Sequence, residues 1–216
     1  MISKRIKTIA GLIHPDENVL DVGTDHAFLP IQLKLNGHRG KIAATELRKG
    51  PRNNAVKNLE EAGIDDVEVY LTPGVRGIDF AADVVVIAGM GLTTVTGIIS
   101  DDPEYFADKR IIIQINHEMD RLRCWLMENS FMIENEVIIR DYKYYEILIV
   151  CKGQMHLDDM QIRFGPVLLS EKSQTFIDCY SRKAEKLEMI IDSLPEQHPD
   201  REKLQKQLET VKEALN

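Results

Sequence analysis

The chain has 216 residues, 44% hydrophobic and 29% charged, an ordinary globular composition with room for one full domain and an appendage. Its longest apolar runs, 84–88 and 147–151, fall far short of the roughly 20 residues a helix needs to cross a bilayer. The N-terminus lacks a signal-peptide core, and Cys124, Cys151 and Cys179 show neither metal-ligand nor disulfide spacing, so a cytoplasmic protein without metal is expected.

The net charge of −8 argues against nucleic acid only on average. Residues 1–60 carry ten Lys/Arg against six Asp/Glu, and a local field is what attracts phosphate.

Strand and helix patterns alternate through the first two-thirds. Ile6, Ile9, Leu12 and Ile13 at helical spacing predict an amphipathic helix over 3–13. Residues 18–21 read as the first strand and 29–36 as its crossover helix. The second strand covers 41–46, and Gly50-Pro51 opens a helix that Gly63 stops. Residues 67–71 form the third strand and 83–88 the fourth, a continuous apolar run suited to the centre of a parallel sheet. Gly89-Met90-Gly91 reads as a turn before a helix over 93–100, and 110–114 as a fifth strand before a helix over 119–129. Two long strands, 131–140 and 144–151, are joined by Asp141-Tyr142-Lys143, a connection short enough for an antiparallel hairpin. Five parallel strand–helix units closed by a hairpin predict an α/β, Rossmann-like, seven-stranded, mostly parallel sheet with an antiparallel last strand, the architecture of class I methyltransferases. Character changes after Gly153. Apolar residues over 170–194 and again over 201–215 predict two helices packed as a coiled-coil-like pair. The expected domains are therefore 1–153 and 154–216.

The first strand leads into Asp21-Val22-Gly23-Thr24-Asp25-His26-Ala27-Phe28-Leu29-Pro30. A dinucleotide loop would read Gly-x-Gly-x-x-Gly so that backbone N–H groups approach a pyrophosphate. Here Asp25 and Phe28 occupy the second and third glycine positions. A carboxylate there repels pyrophosphate and suits a cationic ligand, such as S-adenosylmethionine with its sulfonium and ammonium groups. Glu46, at the end of the second strand, is placed to accept hydrogen bonds from ribose hydroxyls, with Leu47 beside it. Ala88, Gly89 and Met90 end the fourth strand, where small residues let the backbone approach a methyl donor. Thr24, His26 and Gly74 complete the expected cofactor set; His26 is a candidate to orient Asp21 or Asp25. Gln114 and Asn116 follow the fifth strand as candidates to read a base edge, although Asn116 equally suits a helix cap. Lys4, Arg5, Arg48, Lys49, Arg52 and Lys57 are candidates for phosphate contacts.

At these residues the chain resembles the bacterial tRNA (adenine-22-N1)-methyltransferases. The resemblance rests on residues 21–30, Glu46 with Gly50-Pro51, 87–91, 122–126, 145–148 and 164–166, in that order. It implies methyl transfer from S-adenosylmethionine to N1 of adenine 22 in the tRNA D-arm, and a C-terminal helical coiled-coil domain. The sequence departs from the family pattern at Pro73, Leu92 and Ile115. Those departures motivate one alternative, a catalytically weakened RNA-binding protein of the same fold; a nicotinamide-dependent oxidoreductase is the other.

N1 of neutral adenine needs no base before attack, but the product is cationic, so a nearby carboxylate can stabilise the developing charge and accept a proton. Asp21 and Asp25 are the candidates, one for the base and one for the cofactor. The resemblance implies that Asp21 is essential. A tRNA partner and a monomer complete the expectation.

Overall fold

A computed structural model describes residues 2–216. In chain order the elements are α1 (Lys4–Gly11), β1 (Val19–Val22), α2 (Phe28–Leu35), β2 (Ile42–Glu46), α3 (Lys49–Glu61), β3 (Val67–Leu71), β4 (Val84–Met90) and α4 (Leu92–Asp101). They continue with β5 (Arg110–Ile115), α5 (Met119–Glu128), β6 (Phe131–Arg140), β7 (Tyr144–Lys152), α6 (Asp159–Phe164), α7 (Pro166–Glu171), α8 (Gln174–Ser193) and α9 (Arg201–Leu215).

The seven strands form one sheet in the order β3-β2-β1-β4-β5-β7-β6. β1 to β5 pair in parallel, and β7 runs antiparallel to both β5 and β6. The expected sheet with an antiparallel last strand is therefore what forms. β1 lies between β2 and β4, so the chain reverses its direction of winding at β1, and a crevice opens beyond the carboxyl ends of β1 and β4.

Alternation along the strands divides the core. Leu20, Val22, Val85, Ile87, Ile111 and Ile113 pack on one face with Val95 and Ile99 of α4 and Leu122 and Leu126 of α5. Val19, Val84, Val86 and Ile112 pack on the other with Ile9 and Ala10 of α1 and Leu29 and Leu33 of α2. Because both faces are covered, β1 and β2 are buried along their whole length, the ends included. That is why Asp21 and Glu46 are taken out of water.

The C-terminal helices build a separate cluster over β6, in which Ile138 meets Phe164, Leu168, Phe176 and Tyr180. α9 folds back along α8 and adds Val211 and Ala214, and Lys212 pairs with Glu188 at 2.6 Å. Three expectations change here. The predicted helix over 170–194 is interrupted at Lys172, which is left-handed at φ 41°, and Ser173 caps the new start by accepting the Phe176 N–H at 3.3 Å. α6 was not expected; an Asp158–Gln161 capping box holds it, at 2.8 and 3.1 Å. β4 runs on through the expected turn to Met90, with a bulge between Ala88 and Met90 in its pairing with β5.

α6, α7 and α8 are joined to the sheet by a buried ionic cluster. Arg123 of α5 is fully buried and reaches Glu136 of β6 at 2.8 Å and Glu146 of β7 at 2.6 Å. Glu136 also accepts the backbone N–H groups of Val167 and Leu168 at 3.0 and 3.4 Å, and Glu146 accepts the Tyr180 hydroxyl at 3.4 Å. Gly165, at φ 90°, lies so close that an added Cβ would overlap Glu136 Oε2 and Arg123 Nη2. Three of the motifs behind the resemblance, around Arg123, Glu146 and Gly165, thus meet at one structural joint.

Candidate active site

The crevice at the carboxyl ends of β1, β2 and β4 is a cleft of about 960 Å³. Its floor is the loop after β1. Asp25 and Ala27 are both left-handed, at φ 42° and 55°, a conformation that non-glycine residues rarely hold and that clusters at functional sites. Gly23 is also left-handed, at φ 74°, and a side chain there would collide with Met90 Cε. Glycine is therefore favoured by the backbone; the Met90 methyl is the end of a flexible side chain that can shift.

Asp21 stands at the inner end with 7% of its surface exposed. It accepts the Thr24 hydroxyl at 2.5 Å and is in no ion pair among the described residues. Burial pushes its carboxyl up to about 6, against the partial counteraction of the Thr24 hydrogen bond. Asp25, four residues on, is exposed at the mouth and lies 3.4 Å from His26, whose ring stacks on Phe28 at 5.2 Å. The two acids proposed for one loop therefore occupy different depths.

On the β2 side, Glu46 Oε1 accepts the Arg48 backbone N–H at 3.0 Å, and Oε2 keeps no partner among the described residues. Thr45, fully buried beside Glu46, has a hydroxyl with no hydrogen-bond partner among the described residues.

Every expected cofactor residue meets the cleft: Asp21, Gly23, Thr24 and His26 from the first loop, Glu46 and Leu47 after β2, Gly74 after β3, and Ala88, Gly89 and Met90 from β4. Of the expected RNA contacts, Arg5 and Arg48 reach the same cleft. Lys4, Lys49 and Lys57 are exposed, Lys57 within 3.6 Å of Glu61. Arg52 donates to the Val69 carbonyl, midway along the edge strand β3, at 3.0 Å.

Gln114 is placed differently from the expected base reader. It is fully buried. Its Oε1 accepts from Arg5 Nη1 and from the Gly89 N–H at 3.1 Å, and its amide donates to the Ile115 carbonyl at 2.6 Å. Its oxygen and one amide N–H are thus engaged inside the protein. Asn116 is exposed and donates to the Gly89 carbonyl at 2.9 Å. Together they clamp the Gly89 peptide from both sides and fix the bulge that lays Met90 over Gly23. Of the departures, Ile115 is core and Leu92 packs against the same core, while Pro73 forms part of the cleft wall.

The described residues contain no group of three or more His, Cys, Asp or Glu able to hold a metal, and no helix long and apolar enough to cross a membrane. Burial raises the Cys151 and Cys179 thiols to about 11, which suits neither for nucleophilic work.

Comparison with known proteins gives the cleft a context. The family described as tRNA (adenine(22)-N(1))-methyltransferase matches residues 19–214. The chain is 27% identical to the tRNA (adenine(22)-N(1))-methyltransferase of Bacillus subtilis, over 100% of this chain and 97% of that protein. A Streptococcus pneumoniae protein crystallised with S-adenosyl-L-methionine is 36% identical, with a TM-score of 0.87 over 100% of both chains. The Mycoplasma capricolum structure in complex with S-adenosyl-homocysteine is 26% identical, with a TM-score of 0.81 over 100% of this chain and 98% of that one.

Proposed function

Because the chain belongs to the tRNA (adenine(22)-N(1))-methyltransferase family, we propose that it methylates N1 of adenine 22 in the tRNA D-arm. It is an S-adenosylmethionine-dependent tRNA methyltransferase. The single observation that carries the reading to this chain's own residues is the buried carboxylate of Asp21, left without a cation at the switch point of the sheet.

The cleft's donor set suits the cofactor. Asp21 offers a full negative charge in low dielectric to an ammonium or sulfonium, where such an attraction is strongest. Glu46 Oε2 is an acceptor for a ribose diol. When bound, S-adenosylmethionine supplies an electrophilic methyl group on sulfur.

The chain's part is to orient and to handle charge. Asp21, fixed by Thr24, serves the cofactor. Asp25, exposed at the mouth beside His26, serves the adenine: it stabilises the positive charge that develops on the ring and accepts the proton later released. Met90 and Phe28 offer apolar surface to the base, and the Gln114–Gly89–Asn116 clamp keeps the methyl-transfer floor rigid, so that alignment is prepaid. Adenine 22 leaves its stack to reach the cleft. Lys4, Arg48, Lys49 and Lys57 contact phosphates, and the protein acts as a cytoplasmic monomer. Residues 1–153 form the catalytic domain and 154–216 a helical arm that grips the tRNA.

The test is methyl transfer to unmodified tRNA carrying adenine at position 22, against the same tRNA with guanine there. Incorporation into the first alone is the expected result. Tight tRNA binding without incorporation would replace this reading with the catalytically weakened RNA-binding protein.

A further inference from the structure

The turn between β6 and β7 carries a cluster that the reaction above does not use. β6 runs in the same direction as β1, β4 and β5, so this turn emerges at the carboxyl edge of the sheet, where the cleft opens. Tyr142 at its tip is 83% exposed, the most exposed large apolar side chain among the described residues. Its ring is nevertheless braced. It meets Tyr145 in a T-shaped contact at 5.5 Å, and the Asp141 N–H donates to the Lys143 carbonyl at 2.9 Å to close the turn. Tyr145 is itself 4% exposed, with Lys143 Nζ 5.0 Å and the Arg5 guanidinium 5.4 Å from its ring centre. Arg140 lies over Tyr144 at 5.9 Å. The Asp141 carboxylate is the one acid in the turn, and it accepts the Arg5 backbone N–H at 3.4 Å. The side chains of Arg5, Arg140 and Lys143 contact rings and Gln114, and their charge remains available to an anion.

An isolated exposed tyrosine calls for no explanation. Here the ring is held by Tyr145, whose own ring carries Lys143 and Arg5, and Arg5 lines the cleft; Arg140 lies on the same turn, over Tyr144. Aromatic faces interleaved with basic side chains are the chemistry that holds unstacked nucleotides, by stacking on the base and pairing with the phosphate. An acidic peptide would use the cations but would leave the open tyrosine face without a partner. We propose that the β6–β7 turn is a second RNA-contacting surface, on which Tyr142 stacks with an unstacked base next to the target adenine while Arg140 and Lys143 hold the adjoining phosphates. The proposal rests on the methyltransferase reading and adds to it residues outside the cofactor cleft.

The experiment measures tRNA binding, steady-state methyl transfer and S-adenosylhomocysteine binding for wild type, Tyr142→Ala, Tyr142→Phe and Arg140→Ala/Lys143→Ala. Tyr142→Ala is expected to raise the tRNA Kd and KM by about 5- to 100-fold, with S-adenosylhomocysteine affinity and melting temperature unchanged. Tyr142→Phe, which keeps the stacking face, is expected to stay within about twofold of wild type. The double variant is expected to weaken binding and flatten its salt dependence. Wild-type tRNA affinity and KM in Tyr142→Ala would overturn the surface even if the enzyme methylates normally. A wild-type protein that binds neither cofactor nor tRNA would instead sink the underlying functional reading.

Discussion

Asp21 and Glu136 are both carboxylates withdrawn from water by the same sheet, yet only Glu136 is given a cation. Glu136 faces the Arg123 guanidinium, and two backbone N–H groups at the start of α7 complete its contacts. Asp21 receives one hydroxyl. Burial raises both carboxyls; for Glu136 Arg123 opposes the rise, while the neighbouring Glu146 adds to it. Arg123 is held charged: burial works against it, and the two carboxylates outweigh that. A buried charge answered from within the chain is a joint. A buried charge left unanswered at the mouth of a cleft is a binding site.

Breaking the joint gives the largest expected effect. Arg123→Ala strips the cation from two acids and is expected to destabilise the fold by about 3–5 kcal/mol, the typical penalty for a buried charge left alone. Denaturant unfolding reads it, with the C-terminal helices losing their anchor. Replacing Arg123, Glu136 and Glu146 together by apolar residues of similar volume is expected to recover most of that loss. If the single and triple variants lose the same stability, the cluster acts through packing and the contrast with Asp21 fails.

The same logic predicts the opposite sign at Asp21. Its folded-state carboxyl titrates near 6 rather than 3.8. The ionised form therefore costs stability: the group's contribution is fully present below about pH 4 and is lost as pH rises through 6. Asp21→Asn is expected to leave the cofactor-free protein as stable as wild type, or more stable by up to about 3 kcal/mol above pH 6. It is also expected to weaken S-adenosylhomocysteine binding about 10- to 100-fold, the worth of a hydrogen bond to a charged group. Denaturant unfolding across pH 5–8 checks the first and calorimetric titration the second, because wild-type affinity falls as Asp21 takes up its proton and the variant's does not. Asp25→Asn is expected to bind the product normally and lose methyl transfer. The reverse pattern would exchange the two roles.

How much of this was legible in the sequence follows from the range of the interactions. The acids at the ends of buried strands stood out because periodicity places them, and every expected cofactor residue reached one cleft. Gln114 was misjudged because an amide at a strand's carboxyl end suits a base edge and an internal partner equally, and that partner, Arg5, lies 109 residues away. Arg123 stood inside a recognisable motif, but its acids lie 13 and 23 positions on, across two strands whose register no local pattern reveals. The bulge before Met90 is likewise set by tertiary contacts that override propensity, whereas the break at Lys172 carried a local signal in Ser173, the cap of the next helix.

Thr24 gives the smallest expected effect and the finest test of the comparison. Among the described residues its hydroxyl is the one donor on the Asp21 carboxylate, and it holds that carboxyl below where burial alone would put it. Thr24→Val keeps the volume and removes the donor. Losing one hydrogen bond to a charged acceptor moves a carboxyl by about one pH unit, so the midpoint below which S-adenosylhomocysteine affinity declines is expected to rise from near 6 to about 7. At pH 8 most of the Asp21 population is still ionised and affinity is expected to stay within about twofold of wild type; the loss appears only towards pH 6. Thr24→Ser retains the hydroxyl and is expected to keep the wild-type profile. A uniform loss at every pH in Thr24→Val would mean that the hydroxyl contacts the ligand directly, and Asp21 would then owe its position to the strand alone.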